Sequence, residues 1–249
     1  HSDSSAASDV YKRQDIIKGA DVIIWTTTPW TIPANKALAY NASLKYVLLE
    51  INDNKNFVNR KIVIAKDLLE PFKKDTSIEN IKVLNEFLGK DLKGTVCSHP
   101  FSKMGYDYDI PMLEANFVTT EQGTGIVHCA PSHGPDDFNL CLNNNIKAIE
   151  TVDGDGKYTN EIKHFEGLHI FKANNLIIEK LDEQKNLLTN GKLTHSYPHS
   201  WRSKAPLVHR ATPQWFISME SHGLRDKALK AIDNTDFYPS KGKERIKSM

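Results

Sequence analysis

The feature that most restricts the fold is a short apolar run stopped by two prolines. Ala20 to Trp25 is rich in β-branched residues, and Pro29 and Pro33 follow directly. Proline fixes φ and has no N–H, so neither a long helix nor an uninterrupted ladder passes through this segment. The pattern predicts a buried strand that ends in a stiff loop. Tyr46 to Ile51, Lys61 to Ala65, Thr95 to Val96, Pro111 to Ala115 and Gly125 to Cys129 read as further strands, with glycine turns between some of them. Asp67 is placed to cap a short helix through Phe72. Pro135 opens another helix, and Asp136 and Asp137 in its first turn suit the positive end of the helix dipole. Asp153 to Gly156 is a turn signal ahead of a strand at Lys157 to Thr159. Phe171 to Leu181 has helical spacing at Leu176, Ile177 and Leu181. Strands outnumber helices up to about Ser196. The expected class is therefore α+β and β-dominated, with helices inserted between strands.

Composition narrows the function classes. With 39% apolar residues the chain can build a packed core, and no apolar stretch is long enough to span a membrane. No secretory h-region is present, so no membrane partner is expected. A net charge of +1 excludes binding of nucleic acid as a global polycation. The charge is uneven, however: from Trp201 onward ten basic residues face five acidic ones, which directs any polyanion contact to the C-terminal fifth. Cys97, Cys129 and Cys141 are odd in number and contain no C-x-x-C pair, as expected of reduced thiols in a cytoplasmic protein. Residues 1–14 are small, polar and aperiodic and resemble adaptor or cloning sequence. The abrupt start at Asp15 and stop at Met249 read as cuts through a longer protein.

Three clusters carry chemistry. The first is Trp25-Thr26-Thr27-Thr28-Pro29-Trp30-Thr31-Ile32-Pro33-Ala34-Asn35. Hydroxyls and free amides on a stiffened loop suit an ester, a ribose or a phosphate; equally, threonines are ordinary strand residues and prolines end strands. The second runs from Gly123 through Gly125, His128, Cys129 and His133 to Asp136, Asp137 and Phe138. It supports either a metal site built from His128, His133 and a carboxylate, or a carboxylate that binds a cationic group with His128 shaping the pocket. The spacing matches no strong zinc pattern. Adjacent helical residues point about 100° apart, so one of the two aspartates faces a pocket at most. The third cluster is Tyr197-Pro198-His199-Ser200-Trp201-Arg202 with Arg210-Ala211-Thr212-Pro213-Gln214-Trp215-Phe216. Its interleaved aromatic and basic residues fit either RNA stacking or a packed domain junction. The Lys241, Lys243, Arg245 and Lys247 run reads as a solvated face.

The strings WTTTPWTIPAN, GTGIVHCAPSHGPDDF and YPHSWR…RATPQWF, in this order, closely resemble isoleucyl-tRNA synthetase, a class I enzyme. Thr28-Pro29-Trp30 stands where valyl- and leucyl-tRNA synthetases usually carry Arg-Pro followed by an acidic residue. The resemblance spans roughly residue 15 to the end. It implies a barrel-like editing domain over 15–196 with helical insertions, then a junction and partial return to the nucleotide-binding core over 197–249. The HIGH and KMSKS signatures are absent. ATP and Mg would therefore belong to a synthetic site outside this chain, and editing itself would need no cofactor or metal. The implied activity is hydrolysis of Val-tRNA(Ile) by a cytoplasmic, monomeric enzyme. One methylene gives a hydrophobic pocket only ~1–3 kcal/mol of discrimination, a limit for which isoleucyl-tRNA synthetase is itself the general example, so a second sieve removes the smaller product. By the same resemblance Asp137 binds the α-ammonium, and Thr27, Thr28 and Thr31 hold the ester and ribose. Asn35 supports the loop, His128 lines the amino-acid pocket, and Thr26, Trp30 and Gly125 contribute to substrate binding. A vicinal ribose hydroxyl would orient the attacking water. Cys129 and Ser200 depart from the commoner Thr and Cys without removing a proposed role. Two rivals remain open on the residues alone: a metal-dependent hydrolase using His128, His133 and Asp136 or Asp137, and a non-catalytic tRNA-binding module.

Overall fold

A computed structural model describes residues 17–192 and 196–249. The segment read as adaptor sequence lies outside the described residues. The chain divides into two compact units, one running to Ala211 and the other spanning Thr212–Met249.

Among the described residues the first unit is built on eight strands: β1 (Asp21–Val22), β2 (Ala37–Tyr40), β3 (Lys45–Ile51), β4 (Arg60–Ala65), β5 (Ile81–Leu88), β6 (Val96–Ser98), β7 (Asp109–Glu114) and β8 (Ile126–Cys129). Its helices are α1 (Leu69–Thr76), α2 (Pro135–Asn143) and α3 (Ile170–Glu183). The strands form two four-stranded sheets, ordered β1-β4-β3-β5 and β6-β7-β2-β8. The class is α+β and β-rich as expected, but the barrel-like closure is replaced by two open sheets. In the second sheet β2 runs parallel to β7 and antiparallel to β8, with Leu38 opposite both Met112 and His128.

Side chains of successive strand residues point to opposite faces, and this alternation explains the layering. Tyr46, Leu48, Val63 and Ala65 from the first sheet meet Leu38, Tyr40, Ile110, Met112 and Ile126 from the second in one buried cluster. The opposite face of the first sheet, Val47, Leu49, Ile51, Ile62 and Ile64, packs on Phe72 of α1. The opposite face of the second, Ala37, Ala39 and Cys129, packs on Cys141 of α2. A further cluster joins Trp30 and Ile32 to Phe101, Tyr158, Phe165 and the buried face of α3, Ile170, Ala173 and Ile177. Its apolar stripe at i, i+3 and i+7 makes α3 amphipathic.

Several local expectations shift. The Ala20–Trp25 run yields only a two-residue strand, because its backbone leaves the β4 edge soon after the Ile23 N–H reaches Val63 O. Asp67 does not cap α1. It is exposed inside a 3-10 turn, Lys66–Leu68, and the helix begins at Leu69. The Thr95–Val96 strand starts one residue later and extends to Ser98. Lys157–Thr159 makes isolated bridges, Val152 with Tyr158 and Lys157 with His169, instead of a strand. Gly125 is essential to the sheet contact: its φ is +71°, and a Cβ there would stand 2.3 Å from that of Ala65. Its carbonyl accepts the Tyr46 hydroxyl at 2.8 Å.

The second unit holds α4 (Leu224–Asp233) and α5 (Lys241–Lys247). Lys243 and Lys247 both reach Asp233. Trp215, Phe216 and Ile217 are exposed. In the first unit, Trp201 of the third sequence cluster is also exposed, with the Arg202 guanidinium 4.8 Å from its ring centre. Among the described residues no helix is long and apolar enough to cross a membrane.

Candidate functional site

The threonine-rich segment forms a compact hydroxyl chain. Thr26 Oγ1 accepts the Thr28 N–H at 3.0 Å and lies 3.2 Å from Thr28 Oγ1. Pro29–Ala34 then coils into a 3-10 helix, with Pro29 at its first position, where no donor is lost. Thr31 gives its single hydroxyl proton to Thr28 O at 2.9 Å. Its oxygen therefore accepts from His128 Nε2, which is also 2.9 Å away. This contact joins the 3-10 helix to the end of β8, 97 residues later in the chain.

Satisfying both Thr31 contacts at once assigns the His128 tautomer. Nε2 carries the proton, and Nδ1 is a bare acceptor that is buried with no hydrogen-bond partner among the described residues. Burial, reinforced by nearby His133, holds the imidazole down at about 4. His128 is thus neutral at pH 7. By strand alternation it shares the face of Ile126 toward the inter-sheet core. Asn35 is also buried. Its amide N–H reaches Ile32 O, its carbonyl accepts the Tyr108 hydroxyl, and its Oδ1 has no partner among the described residues.

The two aspartates separate as helical geometry requires. Asp136 is exposed. Asp137 turns inward, and its Oδ2 accepts the Ala130 N–H at 2.9 Å, just beyond β8. Burial pushes its carboxyl upward, opposed by the Ala130 amide and aided by Asp136. A half-buried carboxylate with its charge disfavoured is suited to receive a cationic group.

His133 serves a different purpose from the metal ligand considered above. Its Nδ1 faces His209 O at 3.0 Å and must donate to it, so its Nε2 accepts the Thr151 hydroxyl at 2.7 Å. Both ring nitrogens are engaged, and the ring lies edge-on to Trp30 at 4.7 Å. Among the described residues no group of three His, Cys, Asp or Glu side chains is disposed to hold a metal ion.

The structure therefore brings together Thr26, Thr28, Thr31 and His128, and anchors Asp137 to the N–H of Ala130, the residue that follows the strand carrying His128. Thr27 is exposed and its side chain has no partner among the described residues. Trp30 is buried, and Gly125 serves the sheet contact described above. Sequence patterns missed Tyr158 and Asn174, which bond the backbone of Trp30. Asn174 left a weak signal as a poor helix former within α3; Tyr158 left none.

Residues 37–186 match the family model described as "Leucyl-tRNA synthetase, editing domain". The chain belongs to this editing-domain family. It is 72% identical over 233 residues to the isoleucine–tRNA ligase of Pelagibacter ubique (strain HTCC1062), a match covering 94% of this chain and 26% of that protein. It is 45% identical over 249 aligned positions to the isoleucine–tRNA ligase of Gluconobacter oxydans (strain 621H), again over 94% of this chain and 26% of the relative. The chain thus spans about a quarter of the length of these relatives. Among solved structures, the P. knowlesi cytosolic leucyl-tRNA synthetase editing domain superposes with a TM-score of 0.53 at 11% identity, covering 74% of this chain and 91% of that one. The structure named GlLeuRS-CP1 gives 0.55 at 14% identity, with coverage of 76% and 90%. At these identities the likeness establishes the editing-domain fold. Within that fold, the Thr31–His128 bond joins two of the three sequence strings that carry the resemblance.

Proposed function

We propose that this editing domain hydrolyses the ester of Val-tRNA(Ile) as part of an isoleucyl-tRNA synthetase, a cytoplasmic enzyme acting as a monomer. The observation that carries the proposal is the Thr31–His128 contact, which sets the hydroxyl-rich loop against a neutral, buried imidazole; the inward carboxylate of Asp137 is bonded to Ala130, two residues along the chain from that histidine. In this scheme Asp137 binds the α-ammonium, and the free side chain of Thr27, with Thr28 and Thr31, holds the ester and ribose. Asn35 supports the loop, Thr26 and Trp30 complete the lining, and His128 walls off the larger isoleucine side chain. Water adds to the ester carbonyl, the carbon–ribose oxygen bond breaks, and the water proton passes to the departing ribose oxygen. Free valine and uncharged tRNA result. The bare Nδ1 of His128 is buried and the imidazole is held down at about 4, which makes it a weak base and favours orientation of water by the vicinal ribose hydroxyl. The steps as written use no cofactor; ATP and Mg would serve amino-acid activation in the full-length ligase.

The test is deacylation of Val-tRNA(Ile) and Ile-tRNA(Ile) side by side, with and without EDTA. Preferential, chelator-insensitive release of valine is expected. Loss of activity in EDTA would restore the metal-dependent alternative, and tRNA binding without ester cleavage would restore the binding module. His128→Ala should begin to release isoleucine while still releasing valine.

A further inference from the structure

The 3-10 helix carrying Trp30 and Thr31 cannot satisfy its own backbone. Helix N-termini leave their first N–H groups without internal partners. Pro29 has none to leave, so Trp30 presents the first orphan donor, and Thr28 at the N-cap provides no side-chain bond. The Trp30 carbonyl would ordinarily accept the N–H three residues on, but that residue is Pro33. Two distant side chains fill these gaps. Asn174 Oδ1, from the first turns of α3, accepts the Trp30 N–H at 3.0 Å, and the Tyr158 hydroxyl donates to Trp30 O at 2.5 Å. Both ends of the Trp30 backbone are thereby held, in a residue only 4% exposed.

The consequence reaches the site through one covalent step. Trp30 O belongs to the peptide that leads into Thr31, and Thr31 Oγ1 receives the His128 proton. We infer that Tyr158 and Asn174 are positioning residues: by clamping the Trp30 backbone they hold Thr31 against His128 and so select the His128 Nε2–H tautomer. Neither side chain is assigned a contact with substrate in the function proposed above. The kinetic consequence rests on the hydrolysis proposed above; the structural one does not.

The experiment uses the whole 249-residue chain with ¹⁵N-labelled histidine. Wild type should show His128 as a single Nε2–H tautomer. Tyr158→Phe keeps the buried ring and removes only the donor; Asn174→Leu removes the acceptor, and Asn174→Asp restores one. Tyr158→Phe and Asn174→Leu should each give His128 a mixed tautomer signature and lower kcat for Val-tRNA release about tenfold with KM nearly unchanged. Asn174→Asp should recover most of both. Circular dichroism identifies variants that fold, and the Asn174 pair decides the matter if Tyr158→Phe does not. An unchanged His128 signature in folded Tyr158→Phe or Asn174→Leu overturns the inference. A wild-type chain that releases no valine overturns the proposed function alone, since the tautomer signature still tests the clamp.

Discussion

Acid should destabilise this protein in a window set by its buried imidazoles. His128 and His99 are each at most 8% exposed, and burial holds them down at about 4 and about 3. An unfolded chain takes up a proton on each near pH 6.5, whereas the folded chain resists until those lower values. Their stabilising contribution is therefore fully present above pH 6.5 and is lost as pH falls toward 4. From pH 7 to 5 each imidazole should remove about 2 kcal/mol of stability. At pH 5 the unfolded His128 is almost fully protonated and the folded one about one-tenth, a slope of about 1.2 kcal/mol per pH unit. His133, lowered by burial too, adds in the same direction. The perturbation that isolates one contribution is His128→Gln, which keeps an N–H donor for Thr31 and removes the titration. Urea unfolding followed by circular dichroism at half-unit steps from pH 7 to 5 should show a slope shallower than wild type by about 1 kcal/mol per pH unit at the acid end. Parallel slopes, or direct titration of His128 near 6.5 in the folded protein, would refute the assignment of a buried neutral imidazole.

Asp137→Ala should slow Val-tRNA release by about a hundredfold or more, because it strands the ammonium without its partner. Asp136→Ala, at an exposed position, should stay within about threefold; the reverse ranking in a deacylation assay would reassign the pair. Thr27→Ala should cut the rate and leave the melting temperature within about 1 °C, since its side chain is exposed and has no partner among the described residues. A melting-point loss matching the rate loss would make Thr27 structural. Gly125→Ala should cost about 2–4 kcal/mol through overlap with Ala65 and its positive φ. Gly154→Ala, where a Cβ meets nothing within 4 Å, serves as the urea-midpoint control.

The elements legible in the sequence have local causes. Tyr46–Ile51 and Lys61–Ala65 are mainly apolar runs with several β-branched residues, and Tyr46–Leu49 and Ile62–Ala65 are buried on both faces. Pro135 and the acidic first turn define α2 without help from elsewhere. The choice of Asp137 over Asp136 follows from helix phase. Ala37–Tyr40 was illegible because Ala-Leu-Ala-Tyr has little intrinsic strand preference; its two flanking strands impose the conformation. Ile81–Leu88 was hidden by its place at a sheet edge, where exposed Lys82 and Glu86 and half-buried Asn85 dilute the apolar signal. In the site, the Thr-rich and His–Asp strings were readable as chemistry. The tautomer of His128 and the engagement of both His133 nitrogens were not, because their partners are set by tertiary contacts.

The bonds that complete the site also impose an order on its birth. Thr31–His128 and Trp30–Asn174 close chain separations of 97 and 144 residues. Ribosomes add about 5–20 residues per second, so roughly 7–30 s pass between synthesis of Trp30 and of its α3 partner. Contacts this distant form late and slow the search for the native arrangement. Until His128 and Tyr158 have been made, the threonine loop relies mainly on its two prolines and its local Thr26–Thr28 bond to stiffen it. A nascent chain halted just before residue 174 would already carry every side chain assigned to hydrolysis, yet lack one of the two clasps that hold Trp30 in place.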